Sequence, residues 1–246
     1  MNAMTNTVLL DNVSHKDLSV RTDQGVDPGH RVNQILVFPT EFADLQREYP
    51  ILFRKEADGY KAIALLGLDR DENLFLDDDG WTSEYLPAVL ARGPFLIGMQ
   101  ERQQDGQTAR EPMIQVNLDD PRVDISGQEG EPVFLPKGGH GPYLERVAHM
   151  LGVIHNGLEQ GPQMYAAFDA AGLFEPVAIE IRLDDETAYR LPDFHTISEE
   201  KLAALNAKTL KTLNASGFLG AAFLVAASLG NVTRLIARKN QKRARG

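Results

Sequence analysis

From about Asn33 the chain alternates apolar and polar positions, with Ile35 and Val37 on one side, and this pattern predicts a short strand. Pro39-Thr40-Glu41 then opens a predicted helix in which Phe42, Leu45 and Tyr49 share one side, and Pro50 stops it. Two apolar runs follow, Ile51-Leu52-Phe53-Arg54 and Tyr60-Lys61-Ala62-Ile63-Ala64-Leu65-Leu66. Between them Glu56-Ala57-Asp58-Gly59 supplies an Asp-Gly pair able to take the positive φ of a tight hairpin. Asn73-Leu74-Phe75-Leu76 reads as a third strand, with a second turn at Asp79-Gly80, so the run predicts an antiparallel meander. A helix over Ser83 to Ala91 and a strand over Phe95 to Met99 come next, separated by Gly93-Pro94. A further strand pattern covers Met113 to Leu118.

Beyond Pro142 the period changes. Leu144, Val147, Ala148, Leu151 and Ile154 form the apolar stripe of an amphipathic helix running to about His155, and a second helix is predicted over Pro162 to Ala171. Ala178 to Leu183 and Thr187 to Leu191 predict a hairpin around Asp184-Asp185-Glu186. Ser198 or Thr196 caps the next helical region, through Leu202, Leu205, Leu210 and Leu213; Thr196 has Glu199 three residues later, the spacing of a capping box. Gly217 separates that region from the apolar run Gly217 to Gly230 and the basic end.

Strands, then helices, then strands and helices again define an α+β class rather than a regular βαβ alternation: antiparallel strands with packed helices, as a single compact unit or two closely packed halves. The organisation expected is a polar, strand-poor amino-terminal arm over residues 1–30, ending in the turn Asp27-Pro28-Gly29, then a domain over 31–240 and a basic tail over 241–246. A Gly- and Pro-rich stretch, 126–139, marks a possible internal boundary.

At 246 residues and 43% hydrophobic, the chain can bury a core without disulfides or metals, and it has no cysteine to form thiolate sites or a cysteine nucleophile. Its amino terminus lacks the charged start and continuous apolar stretch of a secretory signal, so a cytoplasmic location is expected. The apolar run Gly217 to Gly230 has 14 residues, where a membrane span needs about 20; a core helix is expected there and no transmembrane segment. A net charge of −10 disfavours diffuse attraction to nucleic acid or to anionic lipid. Against that body, Arg234, Arg238, Lys239, Lys242, Arg243 and Arg245 form a stretch without an acid, read as a helix end whose cations complement the dipole and then a frayed terminus, with contact to a membrane surface or nucleic acid as the alternative.

Candidate chemistry is sparse. Asp69, Asp71 and Asn73 have the opening spacing of a calcium loop, but Leu74 and Gly80 occupy the positions that need glycine and a bidentate glutamate, so two solvated turns around a strand are expected. Glu145 and His149, four apart on the middle helix and with His140 near its start, are the candidate metal-assisted or acid-base group; the histidine spacing does not make a zinc-protease motif. Lys137-Gly138-Gly139-His140 has its lysine before the glycines, opposite to a phosphate loop, and reads as a turn. No cofactor-binding motif appears and none is expected. Trp81, Tyr85, Pro94 and Phe95 are an aromatic, proline-rich stretch, read either as core or as the lining of a peptide-binding groove.

Segments in order along the chain resemble the bacterial SapC family: Glu41-Phe42, Glu48-Tyr49-Pro50-Ile51-Leu52-Phe53, Leu65-Leu66-Gly67-Leu68 with Asn73-Leu74-Phe75, Trp81, Tyr85-Leu86-Pro87-Ala88 and Gly93-Pro94-Phe95. Ala171-Gly172-Leu173-Phe174-Glu175-Pro176, Ile197 to Leu202 and Ser228-Leu229-Gly230-Asn231-Val232 extend the resemblance to about residue 240. Gly93 stands where the family has an aromatic residue, and Pro192-Asp193-Phe194 where a glycine-led turn is common. The resemblance implies a link to a bacterial surface layer, hence a cell-surface alternative for location, and an accessory role in peptide or nutrient handling. The expected function is therefore a non-catalytic accessory protein binding a protein or peptide partner; the alternatives are a metal-assisted enzyme or a surface-layer component.

Overall fold

The computed structural model describes residues 6–22, 30–104, 107–183 and 188–245, the stretches 101–104 and 107–110 by backbone only. The turns expected at Asp27-Pro28-Gly29 and Asp184-Asp185-Glu186 lie outside the described residues. In chain order the first strands are β1 Thr7–Leu9, β2 Ser19–Val20, β3 Gln34–Leu36, β4 Ile51–Glu56, β5 Gly59–Leu65, β6 Leu76–Asp77 and β7 Gly80–Trp81. The remainder are β8 Phe95–Gln104, β9 Gln107–Asn117, β10 Val123–Asp124, β11 Glu131–Pro132, β12 Phe174–Arg182 and β13 Ala188–Ile197. The helices are α1 Phe42–Leu45, α2 Ala88–Ala91, α3 Pro142–Ala170, α4 Glu199–Ala203, α5 Ala207–Ala215, α6 Phe218–Ser228 and α7 Asn231–Arg245. Every strand pairing among the described residues is antiparallel, and the class is α+β as expected.

Two compact units divide the chain, one within Met1–Asp27 and Ala88–His155, the other within Pro28–Pro87 and Asn156–Gly246. In the first, β8 and β9 form a long hairpin with β1 on its outer side, and β2 lies between β10 and β11 in a second small sheet. The strands expected over 95–99 and 113–118 are the apolar ends of that hairpin. Its middle is too polar to register as strand by apolar alternation. The amino-terminal segment is not strand-poor. It supplies β1 and β2, and Leu18 and Val20 join Phe95, Val116, Val133, Tyr143, Leu144, Val147 and Leu151 in one core.

In the second unit a five-stranded sheet has the order β12-β13-β4-β5-β3. The β4–β5 hairpin is in the expected place, and the positive φ falls on Gly59, at +126°. The third strand of the predicted meander is not in this sheet. β5 has β4 on one side and β3 on the other, so the 73–77 segment turns away and pairs with β7 through Leu76↔Trp81 and Asp77↔Gly80. That turn depends on Gly67, where an added Cβ would lie 2.3 Å from the Glu72 carbonyl oxygen.

Three helix expectations change for identifiable reasons. The Ser83–Ala91 helix shrinks to α2: Pro87 disfavours helical geometry at Leu86, and the Glu84 and Tyr85 amides donate to the Glu48 carboxylate instead (3.1 and 3.3 Å). Pro162 does not start a helix but sits inside the 29-residue α3. The carbonyl it leaves without an amide donor is that of Leu158, on an exposed face where water can serve it. Ser198, not Thr196, is the N-cap of α4, its hydroxyl accepting from Lys201 N, while Thr196 Oγ1 is buried without a partner among the described residues. Helix α5 starts separately, capped by Asn206.

The basic end is anchored as far as Lys242. In α7 Lys239 Nζ donates to Asp69 Oδ2 (2.5 Å) and Glu72 Oε1 (2.8 Å), and Lys242 reaches the same Glu72 oxygen (3.2 Å). The acidic 69–72 turn expected to be solvated is thus the counter-charge of α7. Hydrogen bonding to Lys239 holds the Asp69 carboxyl below its ordinary range. Burial pushes Glu72 upward, but its bonds from Lys239, the Leu68 amide and Lys242 outweigh that and keep it lowered. Burial works against the Lys239 cation, yet the two carboxylates raise it above the usual amine range. The lowered carboxyls contribute stability that is present above their unfolded range and lost as pH falls through their folded values. The raised amine contributes below its unfolded range and loses that only at strongly alkaline pH. Lys239 and Glu72 side chains are 9% and 8% exposed, so Lys239→Ala, which strands buried carboxylate, should cost about 3 kcal/mol in urea unfolding at neutral pH. The gap from wild type should narrow below about pH 4, where the carboxyls protonate.

Candidate functional site

The aromatic stretch singled out in the sequence divides between the units. In the second unit Trp81 is half-buried against Phe75 and Tyr49, and its indole N–H points at the Tyr49 hydroxyl (3.1 Å) and the Tyr85 carbonyl (3.2 Å). Tyr49 donates its own hydroxyl to that carbonyl (2.5 Å), and Tyr85 donates to Glu41 Oε2 (2.9 Å). Glu41 is 1% exposed, and its other oxygen accepts from the Phe38 amide (3.0 Å). Burial pushes the Tyr49 hydroxyl up to about 12, and burial with the Glu41 charge raises Tyr85 further, so both stay protonated donors. Pro94 and Phe95 belong to the first unit, where both are buried and Phe95, 0% exposed, is core; its ring offers no surface to a partner.

Glu145 and His149 lie on the exposed face of α3, and His140 is exposed beyond a bridge to Phe134 that closes a turn at Gly138 (φ +85°). Among the described residues no three His, Asp or Glu side chains group as metal ligands.

What the structure brings together instead, in the second unit, is a cleft of about 560 Å³. One wall is Leu36, Val37 and Phe38, where β3 ends; another is the β4–β5 hairpin from Lys55 to Ala62; the third is α3 from Gly157 to Asp169. Gly157 is needed for the helix to meet the first wall, since an added Cβ would lie 2.4 Å from Phe38 Cβ. The floor is apolar, with Tyr165 set edge-on to Phe53 (5.4 Å between centroids). Leu158 stands 56% exposed at the mouth. The rim carries both charges: Lys61 is paired with Asp58 (2.7 Å), Lys55 lies over the Tyr60 ring (5.4 Å), and Asp169 sits on the helix side.

The backbone of β5 gives the cleft its chemistry. β3 pairs only with Ile63, Ala64 and Leu65, and the Val37 amide adds one bond to the Ala62 carbonyl (3.0 Å). Alternate residues of a strand turn their amide and carbonyl to the same side, so Tyr60, two residues on, presents both groups beyond the end of β3, toward the cleft. His195 of β13 flanks the Tyr60 ring (5.3 Å) with Nδ1 buried and unpartnered among the described residues; burial and Lys55 lower its proton affinity. Sequence reasoning passed over Tyr60, Leu158 and Tyr165. The available signal was a leucine beside Gly157, Gly161 and Pro162 within a helical pattern, which reads as a break between two helices.

With this geometry in place, comparison with known proteins gives a family. The SapC family matches residues 10–235, nearly the whole chain, and the protein belongs to it. No curated protein and no solved structure matches the chain. Several segments that carried the resemblance meet in the network just described: Glu41, Glu48-Tyr49, Trp81 and Tyr85. At the departure over Pro192-Asp193-Phe194, Asp193 has φ +65°, a left-handed backbone that glycine adopts most readily, within a bulge of β13 opposite Val177 to Ile179. Tyr85→Phe removes a donor from a buried carboxylate and should cost about 2 kcal/mol in urea unfolding, with Trp81 emission as the probe.

Proposed function

We propose that this SapC-family protein is a non-catalytic accessory protein that binds an extended segment of a protein or peptide partner, and that the cleft is where the segment lies. The observation that carries this reading is the edge of β5 at Tyr60, unpaired among the described residues and facing an apolar trough at the point where β3 stops. An extended chain laid there continues the sheet: main-chain bonds to Tyr60 supply affinity, and alternate side chains enter the space between Phe38, Leu158 and Tyr165. A cavity of this volume is in the range that holds a few residues or one small ligand.

Selection of displayed random peptides against the whole chain tests the proposal. Peptides are expected to be recovered, to slow exchange of the Tyr60 amide, and to bind Leu158→Glu about tenfold more weakly at unchanged folding stability. Recovery of none, or equal binding by the variant, removes the cleft as the site. Regular self-assembly of the purified protein points instead to a surface-layer component.

A further inference from the structure

Charge is segregated along this chain in a way its total conceals. After Glu200 there is no carboxylate side chain: none of the 35 Asp and Glu residues lies there, against nine of the 25 Lys and Arg. That segment builds α5, α6 and α7. In α6, Ala222 and Ser228 are fully buried together with Val225, and in α7 Leu235 and Lys239 face inward. The junction is tied down: the Ser228 hydroxyl accepts from the Ile51 amide (2.9 Å), and Asn231 donates to the Gln46 and Tyr49 carbonyls (2.8 and 3.2 Å). One face of the run is therefore committed to the second unit.

The other face is not that of an ordinary surface helix. Gly220, Phe223 and Ala227, at helical spacing, are exposed, and Leu219 and Leu224 beside them are half-buried. Phe223 is 56% exposed in a helix without a single charged or amide side chain. Exposed cations flank it on both sides in sequence, Lys208 and Lys211 in α5 and Arg245 at the end of α7, while Arg234 donates to the Arg47 carbonyl and Lys242 to Glu72. By length and composition the run Phe218–Arg245 also qualifies as a candidate membrane span, with 33% of its most apolar window buried. Spanning would tear out the Ser228, Asn231 and Lys239 anchors; lying flat keeps them.

We infer that this face seats the second unit on an anionic lipid surface, with Phe223 and its apolar neighbours entering the headgroup boundary and the flanking cations held against acidic headgroups. Apolar insertion and cationic attraction are the two elements that interfacial helices combine, and together they hold a protein reversibly.

The test is sedimentation of the full chain with vesicles of phosphatidylcholine alone and of phosphatidylcholine with phosphatidylglycerol at about three to one. Binding to the anionic vesicles is expected to exceed that to neutral ones by at least about tenfold and to fall steeply with salt. Phe223→Asp and, separately, Lys208→Glu with Lys211→Glu should each weaken it about tenfold while circular dichroism stays unchanged. No binding to anionic vesicles, equal binding to neutral ones, or indifference to both variants overturns the inference. So does a wild-type dimer that Phe223→Asp converts to monomer without any vesicle binding, which would mean a second copy covers the face. Binding to duplex DNA that survives Phe223→Asp, in place of vesicle binding, overturns it as well.

Discussion

A carboxylate shut away from water keeps its charge only if donors surround it, and the second unit is arranged around meeting that demand at Glu41. The Phe38 amide supplies one donor from the same turn and the Tyr85 hydroxyl another from 44 residues away. Tyr85 is held in turn by the Glu48 carboxylate on its amide and by Tyr49 and Trp81 on its carbonyl. The 81–87 segment is therefore pinned as an irregular loop against α1, which accounts both for its failure to become a helix and for the half-burial of Trp81. The Trp81 indole N–H is engaged internally, so a ligand approaching Trp81 does not meet a free donor there.

The same demand acts on backbone groups, with a different outcome at β5. A short β3 satisfies the edge of β5 at Ile63 to Leu65 and then leaves, because Pro39 and the turn into α1 follow at once. The strand continues to Gly59 without a neighbour on that side among the described residues. An edge left open beside an apolar trough differs from an edge open to bulk water: solvent reaches it less freely, and a chain able to offer both main-chain bonds and a side chain for the trough gains on both counts.

Legibility in the sequence followed from how local the deciding forces are. The β4–β5 hairpin, the start of α1 and the β12–β13 hairpin are readable because apolar pattern and turn chemistry agree over a few residues, although the helix expected to reach Tyr49 ends at Leu45. The destination of the 73–77 strand was not, since it depends on β3, forty residues upstream, already holding the free side of β5. Pro162 misled because a proline on an exposed helix face costs less than one in a packed interior, and exposure is a tertiary fact. Likewise the candidates Trp81, Tyr85, Pro94 and Phe95 are adjacent in sequence but fall in two units, and the cleft residues come from segments around 37, 60 and 160 that no spacing rule links.

The acidic turn and the basic helix show how charge patterning can mislead in both directions. Read separately, Asp69 to Glu72 suggested solvated turns and Arg234 to Arg245 a loose cationic end. Folded, Lys239 closes on Asp69 and Glu72, and Arg238 lies over the Phe75 ring (4.4 Å) with a bond to the Thr82 hydroxyl (2.8 Å). Those contacts consume the inward charges of α7 and fix the rotation of the helix. Once that rotation is fixed, which residues of the α6–α7 run face outward is no longer free: the anchors that satisfy buried partners at Ser228, Asn231 and Lys239 are the reason Phe223 has nowhere to go but out.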